Sequence, residues 1–197
     1  MASPFETAQR QRQQLERFLA YHAEGHFEGP VRLDTYLTFH QQKRLAWLKA
    51  NCVGEILEVG CSWGFVLAIC KGHAGVDVNP RLIALADALA PDREFKVADA
   101  CQLPYPDKSF DTVMLPEVIE HLSVHNARSA IIEAIRVARR RILITTPDGE
   151  HDTEEATNLK HQYLVDSIVL PQLQALIPNC RTFRDYPFIF LRGDVDA

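Results

Sequence analysis

The stretch Glu55-Ile56-Leu57-Glu58-Val59-Gly60-Cys61-Ser62-Trp63-Gly64 constrains the fold more than any other part of the chain. Its apolar run is too short for a buried helix and suits a strand covered on both faces. The run stops at Gly60, and small residues stand at 60, 62 and 64, ahead of a helix-compatible segment from Gly64 to His73. Small side chains let the backbone pass close to a ligand and leave the N–H groups of the next helix free to face it. A strand, a glycine-rich turn and a helix open a βαβ unit, so the decisive question is whether the pattern repeats.

It repeats along the chain. Ala74 to Val78 reads as a second strand, and Pro80 suits the first turn of a helix over Arg81 to Leu89. Phe95 to Ala98 and Phe110 to Leu115 give two more strands, and Asn126 to Ala138 a helix. Arg141 to Thr146 makes a fifth strand, stopped by Pro147. His161 to Ile177 reads as a helix. Cys180 to Tyr186 and Phe188 to Arg192 form a closing strand pair around Pro187, which lacks an N–H and favours a turn. Two helices, about Phe5 to Tyr21 and Leu33 to Lys49, precede the first strand and are separated by Gly25, Gly29 and Pro30.

The expected fold is therefore α/β: a Rossmann-like, mostly parallel seven-stranded sheet with helices on both faces and an N-terminal helical addition. Residues 1–50 are expected to cap the same domain that residues 51–197 build, since 197 residues suit one domain better than two.

Ligands of such sheets bind at the carboxyl ends of the strands. Three acids fall at three successive strand ends: Glu58, Asp77 and Asp99. A carboxylate after the second strand is placed to accept hydrogen bonds from both ribose hydroxyls. A third acid is unusual for a dinucleotide and suits a ligand with an adenine amino group and a positive sulfonium. Each acid has a local alternative. Glu58 could bond loop N–H groups, Asp77 could cap the helix at Pro80, and Asp99 could be a turn residue.

Taken in order, the motifs resemble the class I S-adenosylmethionine-dependent methyltransferases, in their type 11-like small-molecule branch. The resemblance runs from about Gly54 to Pro147. It rests on Glu58 through Gly64, on Gly75-Val76-Asp77-Val78-Asn79-Pro80, on Ala98-Asp99-Ala100 through Asp111, and on Glu117-Val118-Ile119-Glu120-His121-Leu122. It implies S-adenosyl-L-methionine as cofactor. Glu58 and the backbone of Gly60, Cys61, Ser62 and Gly64 would hold its methionine part. Asp77 would bind the ribose, with Val78 against the adenine. Asp99, with Ala100 beside it, would take the adenine amino group. Leu115, Pro116 and Glu117 would line the side facing the methyl group. Ser62 stands where many members have glycine, and would be strained if that position needs positive φ.

Glu117, Glu120 and His121 share one face if their segment is helical. The ordinary reading is a helix start with solvated charges. His121, with Glu117, is the candidate for catalytic acid–base work. No metal is expected, but Glu117, Glu120, His121 and His161 are the residues that would hold one. Small-RNA 3′-end 2′-O-methyltransferases carry a similar Glu-x-x-Glu-His, so a metal-assisted 2′-O-methyltransferase stays among the alternatives. The others are a nicotinamide-dependent oxidoreductase and a non-catalytic cofactor- or partner-binding protein of the same fold.

Net charge narrows the partner. The value of −5 disfavours nucleic acid, whose binders gain most of their affinity from basic residues on phosphates. The one basic run, Arg136 with Arg139-Arg140-Arg141, leads into the fifth strand at its amino end, opposite the crevice. A small-molecule acceptor is expected. Asp148, Glu150, His151, Asp152, Glu154 and Glu155 follow the fifth strand. They read either as a solvated loop or as a charged lid favouring a cationic, amine-bearing acceptor. Five scattered cysteines without a Cys-x-x-Cys pair point to a reducing cytoplasm. No apolar run reaches the roughly 20 residues needed to span a bilayer, and the N-terminus lacks signal-peptide order. The sequence sets no oligomeric state.

Overall fold

A computed structural model describes residues 16, 39–148, 169–185 and 187–196. Its seven strands are β1 (Ile56–Val59), β2 (Ala74–Asp77), β3 (Glu94–Val97), β4 (Phe110–Pro116), β5 (Ala138–Pro147), β6 (Arg181–Asp185) and β7 (Phe188–Asp194). They lie in the order β3-β2-β1-β4-β5-β7-β6. The first five run parallel, and β7 enters antiparallel between β5 and β6. The strand order reverses at β1, between β2 and β4, so the crevice of this sheet opens above the carboxyl ends of β1, β2 and β4.

From residue 39 onward, the α-helices among the described residues are α1 (Phe39–Asn51), α2 (Phe65–Cys70), α3 (Pro80–Leu89), α4 (Val124–Val137) and α5 (Val169–Gln174). Strand alternation assigns them to two faces. Leu57, Val59, Val113, Leu115, Ile142 and Ile144 pack with Ile131 and Ala134 of α4 and Leu170 and Leu173 of α5. Ile56, Met114 and Leu143 pack with Leu45 and Leu48 of α1, with α2, and with Ile83 and Ala86 of α3. On α4 the buried residues Ala127, Ala130, Ile131, Ala134 and Val137 recur at helical spacing, and the alanines bring the helix close to the sheet. Each fully buried leucine or isoleucine contributes about 1.5–3 kcal/mol, so the two layers together hold the sheet flanked on both faces. Caps set the starts: Ser123 accepts from the Asn126 N–H and Asn79 from the Arg81 N–H, with Pro80 as the first residue of α3.

Several boundaries differ from expectation. The fifth strand begins at Ala138, three residues before Arg141, because Ala138 pairs with Phe110 across a register shift. The arginines tolerate this place because acids meet them at the amino edge of the sheet. Arg139 bridges Asp111 and Glu55, Arg141 meets Asp194, and Arg136 meets Glu133 and Asp107. The last strand extends to Asp194, opposite Arg141. The helix over His161 to Ile177 is seen only as Val169–Gln174, and Ala175 to Ile177 leave it as a turn; His161 lies outside the described residues. So does most of the first N-terminal helix, and Leu33 to Thr38 of the second. Among the described residues, no helix is long and apolar enough to cross a membrane.

Candidate cofactor and acceptor site

The turn after β1 is held by β2. The N–H groups of Gly60 and Cys61 both donate to the Val76 carbonyl, at 2.8 and 2.9 Å. Asp77, at the end of β2, accepts from the Ser62 N–H through one carboxylate oxygen and from the Asn79 N–H through the other, each at 2.9 Å. Asp77 therefore braces the loop, and the cap of α3 belongs to Asn79 instead. Three residues of the turn have positive φ: Gly60 at 71°, Ser62 at 50° and Gly64 at 81°. A Cβ on Gly60 would come within 2.5 Å of Val118 Cγ2, so only glycine lets the turn lie against the segment that follows β4. Ser62 adopts the left-handed conformation that costs a non-glycine residue about 1–2 kcal/mol. Ser62→Gly is accordingly expected to raise stability by about 0.5–1 kcal/mol, the strain relief exceeding glycine's entropic cost. Chemical denaturation checks this, and a fall in midpoint would contradict it.

Glu58, on β1, is 2% exposed. The Leu67 N–H in the first turn of α2 faces its carboxylate and favours the charged form. Glu58 Oε2 is buried and has no hydrogen-bond partner among the described residues. Burial pushes the pKa of Glu58 well above the ordinary carboxylate range, and the Arg44 charge only partly opposes this. A buried acid left one bond short, at the switch point of the sheet, fits the ammonium of an amino-acid moiety. Beyond β2, Val78 presents an apolar side chain that is 72% exposed. Asp99 is exposed and accepts from the Cys101 N–H at 2.8 Å through one oxygen, a local turn bond. Ala100 is half-buried beside it, and Leu115 and Pro116 are buried at the end of β4.

The segment after β4 corrects one expectation. Glu117, Glu120 and His121 do not share an α-helical face, and Glu120 is not a solvated charge. Glu117 sits at φ 57°, which ends the strand in a left-handed turn, and Ile119–His121 form a single 3-10 turn. Glu120 is 3% exposed and accepts from the Thr146 hydroxyl at 3.3 Å. His121 is exposed at the end of the turn. Among the described residues, no group of three or more His, Cys, Asp or Glu side chains is arranged to hold a metal ion.

The sequence reading missed Arg44. It is 4% exposed and reaches from α1 to the carboxyl edge of the sheet. Its Nε donates to Gln41 at 2.7 Å, its Nη1 lies 3.5 Å from the Thr145 hydroxyl and 3.8 Å from Glu117 Oε1, and its guanidinium lies over Phe188. The signal was available: Arg44 stands one helical turn before Leu48 and so occupies the apolar face of α1, where a charge needs a buried partner. Thr145 donates to Glu117 Oε1 at 2.9 Å. Asp148, expected in a charged loop, is 6% exposed and paired with Arg184 at 3.2 Å. The rest of that loop, 149–168, lies outside the described residues.

A seven-stranded sheet of this order, with a braced glycine turn and acids ending β1 and β2, has the fold of the Rossmann-like S-adenosylmethionine-dependent methyltransferases. Residues 57–143 match the family model described as "Methyltransferase domain", so this segment is similar to that family. It is 34% identical over 95 residues to ajmaline N-methyltransferase of Rauvolfia serpentina, covering 43% of this chain and 32% of that protein. The chain spans less than half the length of the curated relatives it matches. Among solved structures, a Thermotoga maritima S-adenosylmethionine-dependent methyltransferase, described as a possible histamine N-methyltransferase, superposes with TM-score 0.69 at 18% identity, covering 94% of this chain and 99% of that one. Magnesium protoporphyrin IX methyltransferase of Synechocystis, with bound S-adenosylmethionine, superposes with TM-score 0.61 at 19% identity, covering 98% of each chain.

Proposed function

We propose that the protein transfers a methyl group from S-adenosylmethionine to a small-molecule acceptor. The observation that carries this reading is the buried, unpartnered oxygen of Glu58 at the switch point, one strand from the Asp77 carboxylate. When bound, the cofactor supplies an electrophilic methyl on a sulfonium. Glu58 would take its amino group, the turn Gly60, Cys61, Ser62 and Gly64 would lie along its methionine part, and Asp77 would take the ribose hydroxyls. Val78 would cover the adenine, and Asp99 with Ala100 would meet its amino group.

Leu115 and Pro116 keep the methyl side dry, which strips water from the nucleophile. The chain's main task is then alignment of acceptor, methyl and sulfur. Of the two acid–base candidates, the polar groups gathered around Glu117 favour it over the exposed His121. A small acceptor is supported by the arginines at the opposite edge of the sheet, where acids engage Arg136, Arg139 and Arg141. The cysteines at 52, 61, 70, 101 and 180 are all free thiols, which supports a cytoplasmic setting.

Incubation with S-adenosylmethionine and a metabolite extract tests this reading. Extract-dependent release of S-adenosylhomocysteine, read by mass spectrometry, is the expected result. Cofactor binding without turnover on any fraction would favour a non-catalytic protein.

A further inference from the structure

Resting on that reading, we infer that the acceptor is an amine, and that Glu117 receives its ammonium group while Arg44 and Thr145 hold Glu117 in place. Glu117 lies at the carboxyl end of β4, on the methyl side of the crevice. Its backbone N–H donates to the Thr145 carbonyl at 2.9 Å, which locks the left-handed turn to β5. Thr145 Oγ1 and Arg44 both address one carboxylate oxygen, Oε1. Among the described residues no hydrogen bond or ion pair is made to Oε2, and 22% of the side chain is exposed.

The charges at this edge select a cation. Among the described residues, Arg44 is the buried cation whose charge reaches Glu58, Glu117 and Glu120, and Arg184 is taken by Asp148. Arg44 is 4% exposed, with its Nε on Gln41, its Nη1 near Thr145 and Glu117, and its face over Phe188.

An ammonium has no lone pair and cannot attack. Glu117 takes one proton from R–NH3+, leaving R–NH2 and a neutral Glu117 carboxyl. The nitrogen lone pair then forms the N–C bond to the methyl while the S–C pair leaves on sulfur. The products are R–NH2–CH3+ and S-adenosylhomocysteine, and Glu117 releases its proton to water. Burial raises the affinity of Glu117 for that proton, with Arg44 on α1 and the Thr145 hydroxyl opposing; Glu120 is the other charged group beside it.

The test supplies methyl-labelled S-adenosylmethionine with a metabolite extract split into cation-exchange, anion-exchange and neutral fractions. Label is expected in the cation-exchange fraction. Glu117→Gln should lower kcat/KM for that fraction by about 100-fold or more, the usual loss when a proton acceptor is removed, while affinity for S-adenosylhomocysteine is unchanged. Arg44→Gln, which acts through Glu117, should move the acidic limb of the kcat/KM profile to higher pH, because loss of the cation raises the Glu117 pKa. If Arg44→Gln does not fold, Thr145→Val serves, since loss of the hydroxyl shifts the limb the same way. Label in the neutral or anionic fraction, or Glu117→Gln turning over at the wild-type rate, would overturn the inference and leave the transferase reading standing. Absence of S-adenosylhomocysteine binding by the wild-type protein would instead overturn the transferase reading itself.

Discussion

Asp77→Ala is expected to lower the affinity for S-adenosylhomocysteine by about 100- to 10,000-fold. Two charge-assisted hydrogen bonds to ribose hydroxyls contribute about 1.5–3 kcal/mol each, and every 1.4 kcal/mol is a factor of ten. The substitution does more than remove those bonds. Asp77 also fixes the Ser62 N–H, so its loss frees a turn that already carries a left-handed serine. The fold should survive, because Asn79 caps α3 through its own side chain and the Gly60 and Cys61 N–H groups remain tied to Val76. Calorimetric titration of the variant, beside a thermal melt showing a cooperative transition, separates the two effects. Affinity within about threefold of wild type, a difference of only ~0.6 kcal/mol, would place the ribose elsewhere.

Glu58→Gln should have the opposite signature: a more stable protein that binds the cofactor more weakly. In the ligand-free chain Glu58 is buried with one oxygen unpartnered, and its folded pKa lies well above the unfolded one. An acid shifted this way binds its proton more tightly when folded. Its stability is intact below the unfolded pKa and falls as pH rises from there through the folded pKa. Glutamine carries no such titration, so the variant's advantage should be near zero around pH 4 and grow toward pH 8. Its size should be about 1–3 kcal/mol, the cost of leaving a buried polar group unpaired. Denaturation midpoints measured across that range check the sign. The same replacement removes the charge meant for the cofactor's ammonium, so affinity for S-adenosylhomocysteine should drop about tenfold or more, a loss of at least ~1.4 kcal/mol. A variant that is less stable at pH 8 than wild type would show that Glu58 is satisfied as an anion in the free protein.

The sheet and the glycine turn were legible because each depends on local signals. Gly60, Pro80 and Pro147 mark element ends, and the acids at 58, 77 and 99 follow the strands that place them. The arginine run misled the start of β5 because its tolerance in a strand depends on Asp111, Glu55 and Asp194, far away in sequence. The Glu117 to His121 segment misled more seriously. Spacing alone suggested a helix, but the Glu117 N–H bonds to Thr145 on β5 and forces a left-handed turn, which no local periodicity reveals. For the same reason Arg44 stayed hidden: its partners lie on β4 and β5, and only its position on the apolar face of α1 hinted at them. Asp148 shows the reverse case, a residue read as solvated that burial commits to Arg184.

The central claim is that the crevice above β1, β2 and β4 holds an S-adenosyl ligand. Calorimetric titration of the wild-type protein with S-adenosylhomocysteine, and separately with NADH, tests it most directly. The account predicts one-site binding of S-adenosylhomocysteine at about micromolar strength, near −8 kcal/mol, and no heat with NADH. Binding of NADH with none of S-adenosylhomocysteine would contradict it.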